Sequence, residues 1–446
     1  MHARSSQHRE ILSLAVPAFL ALVAEPLFLL ADTAIVGHLG TAPLAGLGVA
    51  SAILVTAASI FVFLAYATTS VVARQVGAGR LRAALAAGLD GVWLALLLGV
   101  LTAAAVGLAA APLCSAFGAS AEVLAHAVTY LGISSLGIPG MLVVLAVTGA
   151  LRGLQDTRTP LVAATTGFGA NLVLNIWFVF GLQWGIAGSA WGTVLAQTGM
   201  AVGLVLVLLR AARADSVPLA PHLGRVLAAA ATGVPLLVRT LALRAIILVT
   251  TWVAAGLGDV PLAAHQVAVT IWTFLAFALD ALAIAAQALT GKSLGAGDAA
   301  GTRGATTTMV RWGLWSGVAL GAALLAVQPW LPRLFTPDPA VQAALAAALV
   351  VVAVATPLSG LVFVVDGVLI GAGDGRWLAG AMVATLVLYL PAVLAVSWNT
   401  AALRAAGAPV SLAVLWAAFT MFMLVRWGFL RHRVRGDAWL VTGASR

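Results

Sequence analysis

Glu25 and Asp32 stand seven residues apart in the first long apolar run. That spacing is nearly two full helical turns, so both carboxylates project from one face, about 10 Å apart along the axis. An ionisable group inside a bilayer costs about 2.5–3.5 kcal/mol even on a lenient insertion scale, so each is a candidate for function. A carboxylate so placed can carry a proton or attract a cation. Pro26 lies between the two acids and Pro17 a few turns before them. Each proline removes a backbone hydrogen bond and permits a kink, so this run is read as a hinge element.

A matching polar surface comes later in the same half. Asn171 and Asn175 share a helical face at i and i+4, and Thr193 with Gln197 repeats the spacing. Amides and hydroxyls hydrogen-bond a carboxylate in either protonation state, which makes these four candidates for a proton-coupling or substrate-binding surface. The alternative is interhelical glue around close-packed glycines such as Gly185 to Gly192. Further ionisable groups in apolar runs include Arg239, Arg244, Asp280 and Asp366, with Asp90 read as interfacial. Mutual neutralisation, Arg239 or Arg244 pairing Asp280 or Asp366, is the simplest account of them. A second proton or ion site is the other.

No enzyme site is expected. The chain has no GxxxxGK[ST] phosphate loop, no HExxH and no clustered aspartates. The single Cys114 allows no internal disulfide, and no Cys/His cluster has metal-ligand spacing, so neither cofactor nor metal is expected.

The elements that must hold these groups are transmembrane helices. Of 446 residues, 62% are apolar and 8% charged, against about 25% charged in soluble domains. The net charge of +9 comes from basic residues scattered singly among apolar runs, not from a patch with aromatics, so nucleic acid is not a partner. Twelve runs are long enough to span: 11–37, 45–72, 88–111, 124–150, 160–182, 186–210, 225–256, 263–290, 307–331, 340–370, 377–398 and 403–429. The widest polar break divides the chain into an N-terminal six-helix lobe (1–210), a linker (211–224), a C-terminal six-helix lobe (225–430) and a cytoplasmic tail (431–446).

The second half repeats the first at an offset of 218 residues, pairing Pro17 with Pro235, Gly40 with Gly258, Pro139 with Pro357 and Asp156 with Asp374. Matched membrane halves are the mark of an alternating-access carrier. Lys and Arg concentrate at the N-terminus, the even-to-odd loops and the tail, which puts both termini in the cytoplasm and makes the halves parallel repeats. The chemistry is not repeated: Thr250 stands opposite Asp32 and Leu243 opposite Glu25.

From LADTAIVGHLG (30–40) through TSVVARQVGAG, GALRGLQDTRTP, NLVLNIWFVFGLQWGIAGSAWGT, LAAHQ and DGVLIGAGD, the chain resembles the multidrug and toxic compound extrusion (MATE) transporters, in particular their DinF-like branch. The resemblance implies an all-α integral membrane fold of two six-helix lobes forming a V, and efflux of organic, often cationic or amphipathic, compounds against a proton or sodium gradient. It places the family's first-helix proline and aspartate on Pro17 and Asp32, and its fifth-helix asparagine and sixth-helix threonine on Asn171 and Thr193. Where many relatives carry a second aspartate, this chain has Asn175, so Asp32 titrates alone or with Glu25. The expectation is a monomeric plasma-membrane exporter that exchanges protons for small organic substrates within the lipid bilayer. The alternatives are a sodium-coupled antiporter and a flippase for lipid-linked precursors.

Overall fold

The computed structural model describes residues 2–444, with the side chains of residues 2–7, 25 and 28–30 outside the described set. The chain divides into two compact units. One holds residues 13–234 with Gly443 and Ala444; the other holds the residues up to Leu12 and Pro235–Thr442.

The first helix, α1 (His2–Gly37), lies in the N-terminal unit from Ser13 onward and carries Pro17 and Pro26 without interruption. It is followed by α2 (Thr41–Phe61), α3 (Phe63–Gly77), α4 (Leu81–Leu108), the short α5 (Ala110–Ser115), α6 (Ala121–Ser135), α7 (Ile138–Gly153), α8 (Arg158–Ile176) with a π turn over Trp177–Gly181, and α9 (Gly185–Ala214). Next come α10 (Leu223–Leu257), α11 (Asp259–Gly295), α12 (Ala299–Val327), the short α13 (Leu331–Phe335), α14 (Pro339–Gly371), α15 (Gly375–Trp398), the short α16 (Thr400–Ala406) and α17 (Ala408–Arg435). Among the described residues ten helical segments are long and apolar enough to cross a membrane, and α6 with α7, bent by 48°, makes an eleventh. The run 11–37 falls in α1.

Two spans depart from the sequence reading. The run 124–150 is not one helix, because Gly137 and Pro139 interrupt it: a proline near the start of α7 cannot continue the hydrogen bonding of α6. Its repeat partner Pro357 sits inside an unbroken α14. The run 403–429 begins late, since Gly407 adopts φ 94°, a left-handed conformation open to glycine, and α17 starts only after it.

The linker and tail also differ from free connectors. Arg82 donates to the Ser216 carbonyl (2.8 Å), Trp93 to that of Leu219 (3.1 Å), and Arg225 pairs with Asp90 (3.2 Å), so residues 215–225 are stapled to α4. The contact boundary therefore falls inside α10, at Val234/Pro235, beyond the expected linker. In the tail, Arg433 grips Asp374 with two hydrogen bonds (2.6 and 3.1 Å), Trp439 is 1% exposed, and Arg74 donates to the Gly443 carbonyl at 3.1 Å.

The repeat is visible in the packing of each unit taken alone. A Cβ on Gly99 would lie 2.5 Å from the Pro139 Cα, and one on its counterpart Gly317 would lie 2.7 Å from the Pro357 Cα. Without side chains there, α4 closes on the start of α7 and α12 on α14, the small-residue packing that membrane helices use. Cys114 in α5 is fully buried, and burial pushes its thiol up from its ordinary value. We expect it to stay unmodified by maleimide in the folded protein near pH 7 and to react on denaturation, as mass spectrometry would report.

Candidate functional site

Asp32 lies in the second half of α1 and is 4% exposed. A carboxylate so buried must find donors, and three neutral side chains from three other helices supply them. Asn175 Nδ2 of α8 donates to Oδ1 at 2.8 Å, Ser189 Oγ of α9 to Oδ1 at 2.5 Å, and Tyr130 Oη of α6 to Oδ2 at 3.0 Å. Behind them a relay continues: Asn175 Nδ2 also donates to Asn171 Oδ1 (3.0 Å), and Asn171 Nδ2 donates to Thr193 Oγ1 (3.1 Å).

Asn171 and Asn175 are 2% and 0% exposed, one above the other on α8 as their spacing requires. Asn175 Oδ1 is buried with no hydrogen-bond partner. Among the described residues no cation pairs with Asp32, so its acceptor sites are met by dipoles alone. Glu25 is in α1, but its side chain lies outside the described residues. Gln197 is half-buried beside Gly137 and makes no hydrogen bond among the described residues, so only Thr193 of that pair joins the network.

Tyr130 and Ser189 were not singled out from the sequence. Ser189 carried a usable signal: it stands one turn before Thr193, which puts it on the same face of α9. Tyr130 is one of only three tyrosines in the chain and sits in an apolar helix, where a hydroxyl needs a partner.

Gly192 lets this network close, because a Cβ at that position would overlap the Asn175 side chain. Gly192→Ala is expected to displace Asn175 from Asp32, lowering stability by about 1–3 kcal/mol and transport with it. Gly199→Ala, on the same helix with open space around it, should be neutral in thermal melts and transport assays alike.

In the C-terminal unit the expected ion pair forms between Arg239 of α10 and Asp366 of α14. Arg239 Nε lies 3.3 Å from Asp366 Oδ1, and Nη2 contacts Oδ2. A third member, Arg426 of α17, reaches Oδ1 at 3.0 Å. All three are at most 7% exposed. Arg426 escaped the sequence reading because it merges into the basic run Arg431, Arg433 and Arg435, read as a topology signal. Arg244 does not join: five residues on from Arg239 it is turned about 140° around the helix, and it is exposed. Asp280 is half-buried in α11. Asp90 is buried against Arg225.

A buried carboxylate held by neutral donors inside one of two repeated helical units is an arrangement that suits a transport protein. Comparison with known proteins gives the family. The MatE family model matches twice, over residues 17–177 and 235–394, and the chain belongs to that family, the multidrug and toxic compound extrusion transporters.

The chain is 32% identical to Protein DETOXIFICATION 44, chloroplastic, of Arabidopsis thaliana, over 94% of this chain and 80% of that protein. It is 31% identical to DNA damage-inducible protein F of Escherichia coli K12, over 66% of this chain and 65% of that one. Among solved structures, a mutant of the Vibrio cholerae MATE transporter VcmN superposes with TM-score 0.87 at 20% identity, covering 99% of this chain and 100% of that one. A MATE in its bent conformation superposes with TM-score 0.86 at 21% identity, covering 96% of each. The fold is thus the two-repeat MATE fold, and the protein is a multi-pass membrane transporter of small compounds.

Proposed function

We propose that this transporter exports organic, cationic or amphipathic compounds in exchange for protons, with Asp32 as the coupling group. The observation that carries the reading is the carboxylate itself: buried, and held by Tyr130, Asn175 and Ser189 without a cationic partner among the described residues. Ionised Asp32 accepts all three hydrogen bonds and attracts a cation. Once protonated it must donate, and the unpartnered Asn175 Oδ1 becomes the nearby acceptor after rotation of that amide. The change of one proton therefore rearranges the contacts that α1 makes with α8, and Pro17 and Pro26 are where α1 bends in response. Glu25, seven residues away on the same helix, is assigned the supporting acidic role.

Protons are favoured over sodium as the coupling ion because Asp366, the buried acid within the spans of the C-terminal unit, is engaged by Arg239 and Arg426. A cation site there would have to displace two guanidinium groups. Exchange of one proton for one monovalent cation moves no net charge, so the pH gradient drives transport and the membrane potential, worth about 2.3 kcal/mol per charge per 100 mV, does not. We place the protein in the plasma membrane, as a monomer, with both termini cytoplasmic.

The test is accumulation of a fluorescent cationic dye in cells expressing the chain. Expression should lower accumulation, and an uncoupler should restore it. Dye levels unaffected by expression would refute export. Export that persists under the uncoupler and follows sodium would refute the proton reading alone.

A further inference from the structure

The start of α1, up to Leu12, packs within the C-terminal unit against α11 and α12. Trp312 Nε1 of α12 donates to His8 Nδ1 at 2.8 Å, Glu10 pairs with Lys292 of α11 at 3.3 Å, and Ile11 is 3% exposed. Glu10 and Ile11 close one side of a cavity of about 270 Å³, whose other sides include Leu289 and Lys292 from α11 and Asp298 and Met309 from α12 and its cap. Leu289 and Met309, which line it with Ile11, are 9% and 2% exposed.

The repeat marks this corner as a fastening point. Lys292, in the last turn of α11, stands 218 residues beyond Arg74, in the last turn of α3. Within the N-terminal unit Arg74 likewise holds a segment distant in sequence, donating to the Gly443 carbonyl at 3.1 Å.

The hydrogen bond from Trp312 fixes the state of His8. An indole N–H can only donate, so Nδ1 accepts and the ring is neutral with its proton on Nε2. Imidazole is the side chain whose charge changes between about pH 5 and pH 8. Protonation sets a second N–H against the indole N–H and ends the bond. It also brings a cation to the edge of the indole, the positive side of that ring; the two rings meet at 53° with centroids 5.8 Å apart. The carboxylates nearby are engaged, Glu10 by Lys292 and Asp298 by the Gly301 N–H (2.7 Å) that it caps. The other charged groups on these elements are cations or already paired: Arg9 beside His8, Arg311 beside Trp312, and Arg303 with Asp437.

We propose that the start of α1 is a proton-sensitive lid on this cavity, fastened while His8 is neutral and released when His8 takes a proton. The docked lid accepts only the neutral ring, so it is closed at high pH and loosens as the pH falls. It is a proton sensor separate from Asp32.

The test is thiol labelling of the purified full chain, read by mass spectrometry. The rate for Ile11→Cys is divided by that for Leu12→Cys, at a position 40% exposed, so that the pH dependence of the thiol itself cancels. The ratio should rise about 5-fold from about pH 8 to about pH 5, the change expected from losing one hydrogen bond. His8→Asn keeps an acceptor in the place of Nδ1 and does not titrate, so its ratio should stay at the high-pH level. Trp312→Phe lacks the donor and should show no step. Met309→Cys, on the same cavity, is the second reporter in case Ile11→Cys loosens the fold. A ratio flat with pH in the chain that keeps His8, a step that survives in Trp312→Phe, or an equal rise in His8→Asn, as protonation of Glu10 would give, overturns the proposal. The readout involves neither Asp32 nor transport, so its failure would leave the transport reading untouched.

Discussion

Asp32→Asn is expected to reduce proton-driven efflux in reconstituted liposomes to the level of protein-free vesicles, while the variant still folds. The asparagine matches the aspartate in shape, and its carbonyl can keep accepting from the donors now on one carboxylate oxygen. Its NH₂ group, however, carries no exchangeable charge, and the hydroxyl of Tyr130 or Ser189 must reverse to accept from it, or the Asn175 amide must turn. The second consequence weakens the network; the first abolishes coupling, because the side chain has one protonation state at every pH. Asn175→Ala should act differently. It removes a donor and the nearby acceptor but keeps the titrating group, so transport should persist at a lower rate with a displaced pH profile. Rates at several imposed pH gradients separate the two.

Asp366→Ala is expected to be the most destabilising single change in the C-terminal unit. Arg239 and Arg426 share that carboxylate, and all three side chains are buried. Removing one member of a buried ionic set costs about 3–5 kcal/mol, chiefly because charge is left without its counterion in a low-dielectric interior. The same set gives no such stability advantage over well-packed apolar residues, so its role is to fix how α10, α14 and α17 meet. Arg244→Ala, on the exposed side of α10, should stay within about 0.5 kcal/mol of wild type. Thermal melts in detergent test the contrast: a large fall in Tm for Asp366→Ala beside an unchanged Tm for Arg244→Ala.

The acids were legible because an ionisable group in a long apolar run has few explanations. Asn171 and Asn175 were legible because one helix sets their relation, and a spacing of four residues states it. Tyr130 and Ser189 were not, since they lie 98 and 157 residues from Asp32 along the chain and no periodicity records which helices will face each other. Arg426 was hidden by the run of basic residues that follows it, although it occupies the last turns of a span and not a loop. Gly407 and Pro409 carried a visible break signal that the apolar flanks outweighed. The repeat was read from helix breakers in register, and the paired close approaches at Gly99 and Gly317 give the reason for the register: backbone contacts tolerate no insertion.

Proton coupling through Asp32 is open to one direct measurement. Liposomes carrying the purified chain are loaded with a monovalent cationic dye, the membrane potential is clamped at zero, and proton and sodium gradients are imposed separately. Dye movement should follow the proton gradient, ignore the sodium gradient at clamped pH, and vanish in Asp32→Asn. Movement driven by sodium at constant pH, or proton-driven movement at the wild-type rate in Asp32→Asn, would contradict it.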